Sequence, residues 1–116
     1  MTDDRCLFCR IVDGEIPADV VHETDDVLAF RDVDPKAPTH VLVIPKKHVV
    51  SLGSAGDGDQ ALLGAVMMAA RDVARAEGIA DDGFRAVTNT GDDGGQSVHH
   101  LHVHVLGGRG MGWPPG

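Results

Sequence analysis

The chain has 116 residues, which suits one domain, because a single core of this size already buries about two thirds of the unfolded surface. Ten lysines and arginines against 18 acidic residues give a formal net charge of −8, which argues against nucleic acid and membrane surfaces as partners. Apolar runs are far shorter than the roughly 20 residues of a membrane span, and the first residues lack the features of a signal peptide. We therefore expect one domain over residues 1–116, located in the cytoplasm.

The first half of the sequence predicts a short helix and three strands. Residues 1–5 are polar and are expected to be loose. The apolar residues that follow do not alternate, and the Asp13–Gly14 pair behind them is typical of a helix end. Alternating and continuous apolar runs come next and favour strands. The predicted elements are a helical turn over 6–12, a hairpin over 20–23 and 27–31, and a central strand over 40–45.

The second half predicts one long helix and two more strands. Asp57 or Asp59 is expected to cap the helix, whose apolar residues recur every three or four positions and form one buried stripe, with Met67 and Met68 as core filling. The predicted elements are a helix over 60–77, strands over 84–89 and 98–106, and a C-terminal tail over 107–116. Because the strands do not alternate with helices, the predicted class is α+β, with a five-stranded antiparallel sheet and two helices.

Three histidines alternate along the last predicted strand, at His100, His102 and His104. On a strand these side chains project from one face, while the residues between them point into the core. Alternating imidazoles suit either zinc chelation or a nucleophile whose neighbours bind an anion. The preceding loop, which ends at Ser97, is rich in glycine, and its amides and hydroxyl can cradle a phosphate. This loop favours the second interpretation.

The sequence resembles the histidine triad (HIT) family, and within it the Hint branch of nucleoside phosphoramidate hydrolases. The likeness covers nearly the whole chain, and the triad followed by the Trp113-Pro-Pro-Gly116 ending is its most specific part. The matching segments are Ile16–Pro17, Leu28–Phe30, Asp34–Pro35, Ala37–His48, Leu62–Leu63 and Asp92–Gly116. The resemblance implies a HIT-like fold that pairs as a two-fold dimer.

The resemblance also implies roles for single residues. His102 would be the nucleophile, oriented by a backbone carbonyl such as that of His100, and it would become transiently nucleotidylated. His104 would hold phosphate oxygens, and His40 would be the fourth histidine beside the triad. The residues implied for the nucleotide are Asp32 and Val33 at the ribose and purine, Asn89 at the phosphate or ribose, and Gly95, Gln96 and Ser97 in the phosphate loop, with Ser97 also assisting departure of the amine. Only four aromatic residues are present, so aliphatic residues are expected to hold the base.

The Cys6-x-x-Cys9 pair has two interpretations. Both cysteines could be small apolar residues of a short helix. Alternatively they could bind a structural zinc together with His48 and His100, an arrangement that many bacterial members of the wider family resemble. In the second case His100 is a metal ligand rather than a catalytic residue. No catalytic cofactor is expected in either case.

The resemblance favours an enzyme, a purine nucleoside 5′-phosphoramidate hydrolase that releases the nucleoside monophosphate and an amine. Two alternatives stay open: hydrolysis of dinucleoside polyphosphates, and a nucleotide-binding regulatory protein with incidental turnover. A sheet with only two helices leaves an edge and apolar faces uncovered, which favours a homodimer. The tail is expected to reach the partner subunit through Trp113.

Overall fold

The computed structural model describes residues 5–116, so the four residues before them, which belong to the segment expected to be loose, lie outside the described part of the chain. The elements are α1 (Leu7–Val12), β1 (Val20–Glu23), β2 (Val27–Arg31), β3 (Thr39–Pro45), a 3-10 turn (Asp57–Asp59), α2 (Gln60–Ala76), β4 (Phe84–Val87) and β5 (Val103–Gly107). All five strands form one antiparallel sheet in the order β1-β2-β3-β5-β4. The predicted α+β class, with five antiparallel strands and two helices, is confirmed.

The pleat of the two central strands divides the molecule into two layers. Leu42 of β3 lies opposite His104 of β5, and Val41 lies opposite Val105. Because successive side chains on a strand point to opposite faces, the valines of both strands face α2, while Leu42 and His104 face the other side. On the valine side a buried cluster joins the sheet to Val66 and other residues of α2. On the opposite side a second cluster contains Phe8 of α1.

Helix α2 buries a narrower stripe than the sequence predicts. The buried positions are Val66, Ala69, Ala70, Val73 and Ala74. Met67 is 52% exposed and Met68 49% exposed, so the prediction that they fill the core is wrong. Each step along a helix turns by about 100°, so with Val66 and Ala70 facing the sheet, Met67 lies at the edge of the stripe and Met68 on its outer side. None of the helices in residues 5–116 is long and apolar enough to cross a membrane.

One helix cap and two strand boundaries also differ from the sequence prediction. Asp59 lies at the N-cap of α2, but its carboxylate accepts from the amide of Gly56 (3.0 Å) and from Lys47 Nζ (2.9 Å). Strand β4 ends at Val87. Strand β5 begins at Val103, so His100 and His102 precede it, and the predicted single strand over 98–106 is wrong in its first half. Of the three alternating histidines, only His104 lies on a strand.

Candidate active site

A cleft of about 620 Å³ opens on the face of the sheet opposite α2. Its polar lining includes Asp32, Ser97, His102 and His104, and its apolar lining includes Leu7, Phe8, Ile11, Ile16, Phe30, Val33 and Leu42. A volume of this size matches the range of small-molecule sites, which are mostly apolar and carry a few placed polar groups. Two of the four aromatic side chains, Phe8 and Phe30, line the cleft beside these aliphatic residues, and the expectation that aliphatic residues hold a base stays a prediction.

A backbone carbonyl two residues before His102 orients its ring. Its Nδ1 lies 2.7 Å from the carbonyl oxygen of His100, and its side chain is buried, with 5% exposed. A carbonyl oxygen can only accept, so Nδ1 carries the hydrogen and donates it. In the neutral ring Nε2 is therefore an unprotonated nitrogen with a free lone pair. This is the tautomer that a histidine nucleophile requires.

His104 is held through His40 in the opposite tautomer. The amide of Lys36 donates to Nδ1 of His40 (3.0 Å), so Nε2 of His40 carries a hydrogen, and it lies 2.9 Å from Nδ1 of His104. His104 accepts that hydrogen at Nδ1, which places its own hydrogen on Nε2. The two cleft histidines thus differ at Nε2, where His102 offers a lone pair and His104 offers an N–H. Their ring centroids are 5.0 Å apart.

Burial keeps His40 and His104 neutral. It lowers the pKa of His104 from 6.5 to about 4, and the neighbouring rings of His102 and His40 act in the same direction. Burial likewise lowers the pKa of His40, against the opposing effect of Asp32, whose Oδ2 lies 3.4 Å from His40 Nε2. At neutral pH both rings are therefore uncharged, as the chain of hydrogen bonds from Lys36 requires.

The glycine-rich loop before the triad is held by hydrogen bonds within the loop and by one to the residues after β3. Asn89 Nδ2 donates to the carbonyl of Gly94 (2.7 Å), and Gln96 Nε2 donates to the carbonyl of Val50 (2.7 Å). The amides of Gly95 and Gln96 donate to Asp92 and Gly91 inside the loop. A Cβ at Gly94 would lie 2.4 Å from the carbonyl oxygen of Thr90, so only glycine fits there. Among the described residues that line the cleft, this loop is represented by Ser97, not by Asn89, Gly95 or Gln96.

A second cluster of ligand-type side chains lies behind His102. Its members are Cys6, Cys9, His48 and His100, and one donor atom from each lies within 4.8 Å of the others. His100 is fully buried, and its Nε2 lies 2.8 Å from the carbonyl oxygen of Pro45. That carbonyl fixes the hydrogen on Nε2 and leaves the lone pair of Nδ1 for the cluster, which is the usual outer-shell arrangement of a metal-binding histidine.

The distances within this cluster fit a tetrahedral metal. Nδ1 of His48 and Nδ1 of His100 are 3.3 Å apart, and the sulfur-to-nitrogen distances are 3.4 Å for Cys6 to His100, 3.2 Å for Cys9 to His48 and 3.5 Å for Cys9 to His100. A tetrahedral zinc with ordinary bond lengths separates two nitrogen ligands by about 3.3 Å and a nitrogen from a sulfur by about 3.6 Å. The cluster can therefore bind a metal ion. With four protein ligands no coordination position would remain for a substrate.

The structure places the predicted site residues in different parts of the molecule. Asp32, Val33, Ser97, His102 and His104 share the cleft. His40 lies behind His104, whereas His100 belongs to the metal-type cluster. Asn89, Gly95 and Gln96 stabilise the loop. Trp113, in the tail, is 84% exposed.

Sequence reasoning missed the apolar wall of the cleft, and above all Phe8. Its ring packs edge-on against Phe30 at 5.5 Å and against His102 at 5.2 Å. The available signal was its position between the two cysteines, which ties it to the same cluster as His100.

Comparison with known proteins places this histidine-lined α+β fold in a family. The sequence model of the HIT domain matches residues 13–111. A HIT-like protein from Synechococcus elongatus is 51% identical over 116 residues, which is 100% of both chains. The crystal structure of a HIT family hydrolase from Legionella pneumophila Philadelphia 1 superposes with a TM-score of 0.94 at 52% identity, covering 97% of this chain and 100% of that chain.

A histidine triad nucleotide-binding protein from Candida albicans superposes with a TM-score of 0.79 at 31% identity, covering 94% of this chain and 82% of that chain. The chain belongs to the HIT domain family. The family resemblance drawn from the sequence is therefore confirmed, and assignment to the Hint branch stays a prediction.

The low pKa of His104 predicts that acid destabilises the fold. The unfolded chain takes up a proton at this residue near pH 6.5 and the folded chain only near pH 4. The contribution of His104 to folding stability is therefore fully present above pH 6.5. It is lost as the pH falls towards 4, and the loss amounts to about 2 to 3 kcal/mol.

Urea unfolding at pH 7, 5.5 and 4.5 measures this loss. We expect a smaller decrease in the His104→Asn variant than in the parent chain, and an unchanged decrease in His99→Gln, because His99 is exposed. Equal decreases in the parent chain and His104→Asn would contradict the assignment.

Proposed function

We propose that the protein is a purine nucleoside 5′-phosphoramidate hydrolase that acts through a nucleotidylated histidine. One observation carries the proposal. His102, fixed by the His100 carbonyl, has a free Nε2 lone pair in the same cleft as the Nε2 hydrogen of His104. A nucleophile beside a neutral hydrogen-bond donor suits attack on a phosphorus centre whose oxygens gain negative charge. The similarity to HIT family hydrolases supports the same class of reaction.

The reaction would proceed in two displacements at the α-phosphorus. His102 Nε2 forms a bond to phosphorus and the phosphorus–nitrogen bond breaks, while the leaving nitrogen takes the proton of the Ser97 hydroxyl, which solvent water then replaces. Water then attacks the nucleotidylated His102, and the nucleoside monophosphate and the neutral imidazole are released. His104 Nε2–H would donate to a phosphate oxygen in both steps. Neither step needs a metal or a redox cofactor, because imidazole is a competent nucleophile at neutral pH.

The rest of the cleft would bind the nucleoside. Asp32 carries a partly exposed carboxylate at the cleft, which suits the two hydroxyls of a ribose. Val33, together with the buried rings of Phe8 and Phe30, gives apolar contact to a purine. Asn89, Gly95 and Gln96 would act on the phosphate by holding the loop that presents Ser97.

Two alternative functions keep the same nucleotide site. One is hydrolysis of dinucleoside polyphosphates, and the other is nucleotide-dependent regulation of a partner protein. Turnover of adenosine phosphoramidate, an aminoacyl adenylate and a diadenosine polyphosphate by one preparation separates them. We expect the phosphoramidate to have the highest kcat/KM. A preference for the diadenosine compound, or no turnover with retained binding, would favour the respective alternative.

The nucleophile prediction concerns His102→Ala. Its kcat should fall about 10³-fold or more, because no other cleft nitrogen offers a lone pair in line, while AMP binding should persist. Acid quenching of the parent enzyme during turnover should trap nucleotide on His102. The matched control is His99→Ala, which removes an exposed histidine and should leave kcat unchanged. Turnover by His102→Ala, or failure to trap a nucleotidylated protein, would refute the mechanism.

We further infer that the cluster of Cys6, Cys9, His48 and His100 binds a structural zinc ion. Two sulfurs and two imidazole nitrogens in tetrahedral spacing form a Cys₂His₂ donor set, which zinc favours. Neither cysteine forms a disulfide in the described part of the chain, and the reducing cytoplasm that we propose as the location keeps both thiols available. The zinc would hold α1 to the segment before β5 and would not touch the substrate.

The zinc prediction is about one ion per chain in protein purified without chelators. Cys6→Ser and Cys9→Ser should each retain less metal and unfold at lower temperature, because metal-binding energy adds to folding energy. Metal analysis by mass spectrometry and thermal unfolding measure both effects. Metal-free protein that is as stable as the metal-treated sample would favour the interpretation of both cysteines as core residues.

We also propose that two copies pair about a two-fold axis. Met67 at the edge of the buried stripe of α2, Met68 on its outer side and Phe84 on the edge strand β4 are 52%, 49% and 40% exposed, and pairing of two copies would cover them. Trp113 is still more exposed, and the tail before it is anchored to its own subunit by Arg85, which donates to the carbonyl of Gly112 at 2.7 Å. The tail would then reach the leaving-group side of the partner's cleft.

The dimer prediction is tested by light scattering and by the Met68→Glu variant. The parent chain should be dimeric at micromolar concentration, and the buried charge in Met68→Glu should shift it towards monomer. Deletion of residues 112–116 should leave the dimer and AMP binding intact but change the preference among amine leaving groups. A monomeric parent chain would refute the dimer. An unchanged amine profile after the deletion would refute the contact of the tail with the partner's cleft.

A further inference from the structure

We propose that the metal cluster positions the nucleophile and the wall of the cleft, so that metal occupancy sets nucleotide affinity. This inference rests on the proposed nucleotide hydrolase and goes beyond a stabilising role for the ion. His100 is then a positioning residue, which binds the metal through its ring and orients His102 through its carbonyl. The proposal follows from two physical connections between cluster and cleft.

The first connection runs through His100 itself. Its Nδ1 faces Cys6 and His48 at 3.4 and 3.3 Å, and its carbonyl oxygen accepts from His102 Nδ1 at 2.7 Å. The metal ligand and the carbonyl that selects the nucleophile's tautomer therefore belong to one and the same residue. Rotation of the His100 backbone would break the bond to His102 and allow the hydrogen to move to Nε2, where it blocks attack. A metal bond to the ring restrains that rotation.

The second connection runs through α1. The helix has six residues, and isolated helices of that length are unstable. Cys6 caps its first turn by accepting from the amide of Cys9 (3.4 Å), and both cysteines belong to the cluster. Phe8 lies between them, lines the cleft and packs against the ring of His102. A metal at the cluster therefore holds the aromatic wall and the nucleophile in one fixed arrangement.

Without a metal ion, no cation attracts the four donor atoms of the cluster towards one point. Nδ1 of His100 carries a lone pair because its hydrogen is on Nε2, and it faces the second imidazole nitrogen, of His48, at 3.3 Å. Thiol hydrogen bonds to these nitrogens are weak compared with metal bonds. The metal-free cluster should loosen, and the loosening reaches both connections. Because binding free energies are reciprocal, AMP should raise metal affinity by the same factor by which metal raises AMP affinity.

The test compares zinc-loaded and metal-free full-length protein by calorimetry with AMP. We expect at least tenfold weaker AMP binding without metal, and the same loss in Cys6→Ser at equal metal concentration. Long-range ¹⁵N–¹H spectra should show hydrogen on Nδ1 of His102 in the loaded protein and a mixture of tautomers in the metal-free protein. The matched control is His99→Gln, next to His100 but exposed, which should behave like the parent chain. Metal-free protein with native near-UV circular dichroism, the same AMP affinity and the same His102 tautomer would overturn the proposal.

If the metal-free chain unfolds, exchange of zinc for the larger cadmium ion gives the second test. The ring nitrogen resonances of His102 should then shift with those of His48 and His100, while those of His22 on β1 stay in place. Unmoved His102 resonances would overturn the proposal. These spectra need no nucleotide, so they separate this inference from the proposed function, which fails if the loaded protein neither binds AMP nor hydrolyses a phosphoramidate.

Discussion

The alternation of side chains along β3 and β5 is the constraint on which the rest of the structure depends. Val41 and Val105 are fully buried beneath α2, and His40 and His104, one residue away from them, face the cleft side. A shift of one residue in register would exchange the two sets, placing imidazoles in the core and valines in the cleft. Each buried valine contributes roughly 1.5 to 3 kcal/mol, so the core itself holds the histidines on their face.

The segment before β5 lacks this restraint and is held by individual hydrogen bonds instead. The amide of Leu101 donates to the carbonyl of Val49 (2.6 Å), and Thr88 donates to the carbonyl of His102 (2.9 Å). Within this segment carbonyl oxygens assign opposite tautomers to two nearby rings. The carbonyl oxygen of Pro45 accepts from Nε2 of His100, so the free lone pair of that ring is on Nδ1. The carbonyl oxygen of His100 accepts from Nδ1 of His102, so the free lone pair of that ring is on Nε2. One triad therefore presents two different ring nitrogens, Nδ1 of His100 at the metal-type cluster and Nε2 of His102 at the cleft.

Local periodicity made the sheet and helices predictable, since each depends mainly on its own residues. The start of β5 was not predictable, because its pairing ends at Val103 with β3 and at His104 with β4 and so depends on where those strands stop. The exposure of Met67 could not be read from spacing, since it lies at the edge of a stripe whose width is set by the facing sheet. The sequence brought His102 and His104 together correctly. The packing of Phe8 against His102, 94 residues further along the chain, was indicated only by the position of Phe8 between the two cysteines.

The electrostatics of the cleft resolve an apparent conflict between a chain of charge −8 and an anion site. Burial holds His40 and His104 neutral, so the cleft would stabilise negative charge with oriented N–H dipoles rather than with cations. Such dipoles act over a few ångströms, and solvent and salt screen the distant aspartates. Neutrality also serves the nucleophile, because a charged His104 5.0 Å from the ring of His102 would draw electron density away from its lone pair. The burial that lowers the pKa values of His40 and His104 would therefore supply a neutral donor at His104 and leave the lone pair of the proposed nucleophile, His102, undisturbed.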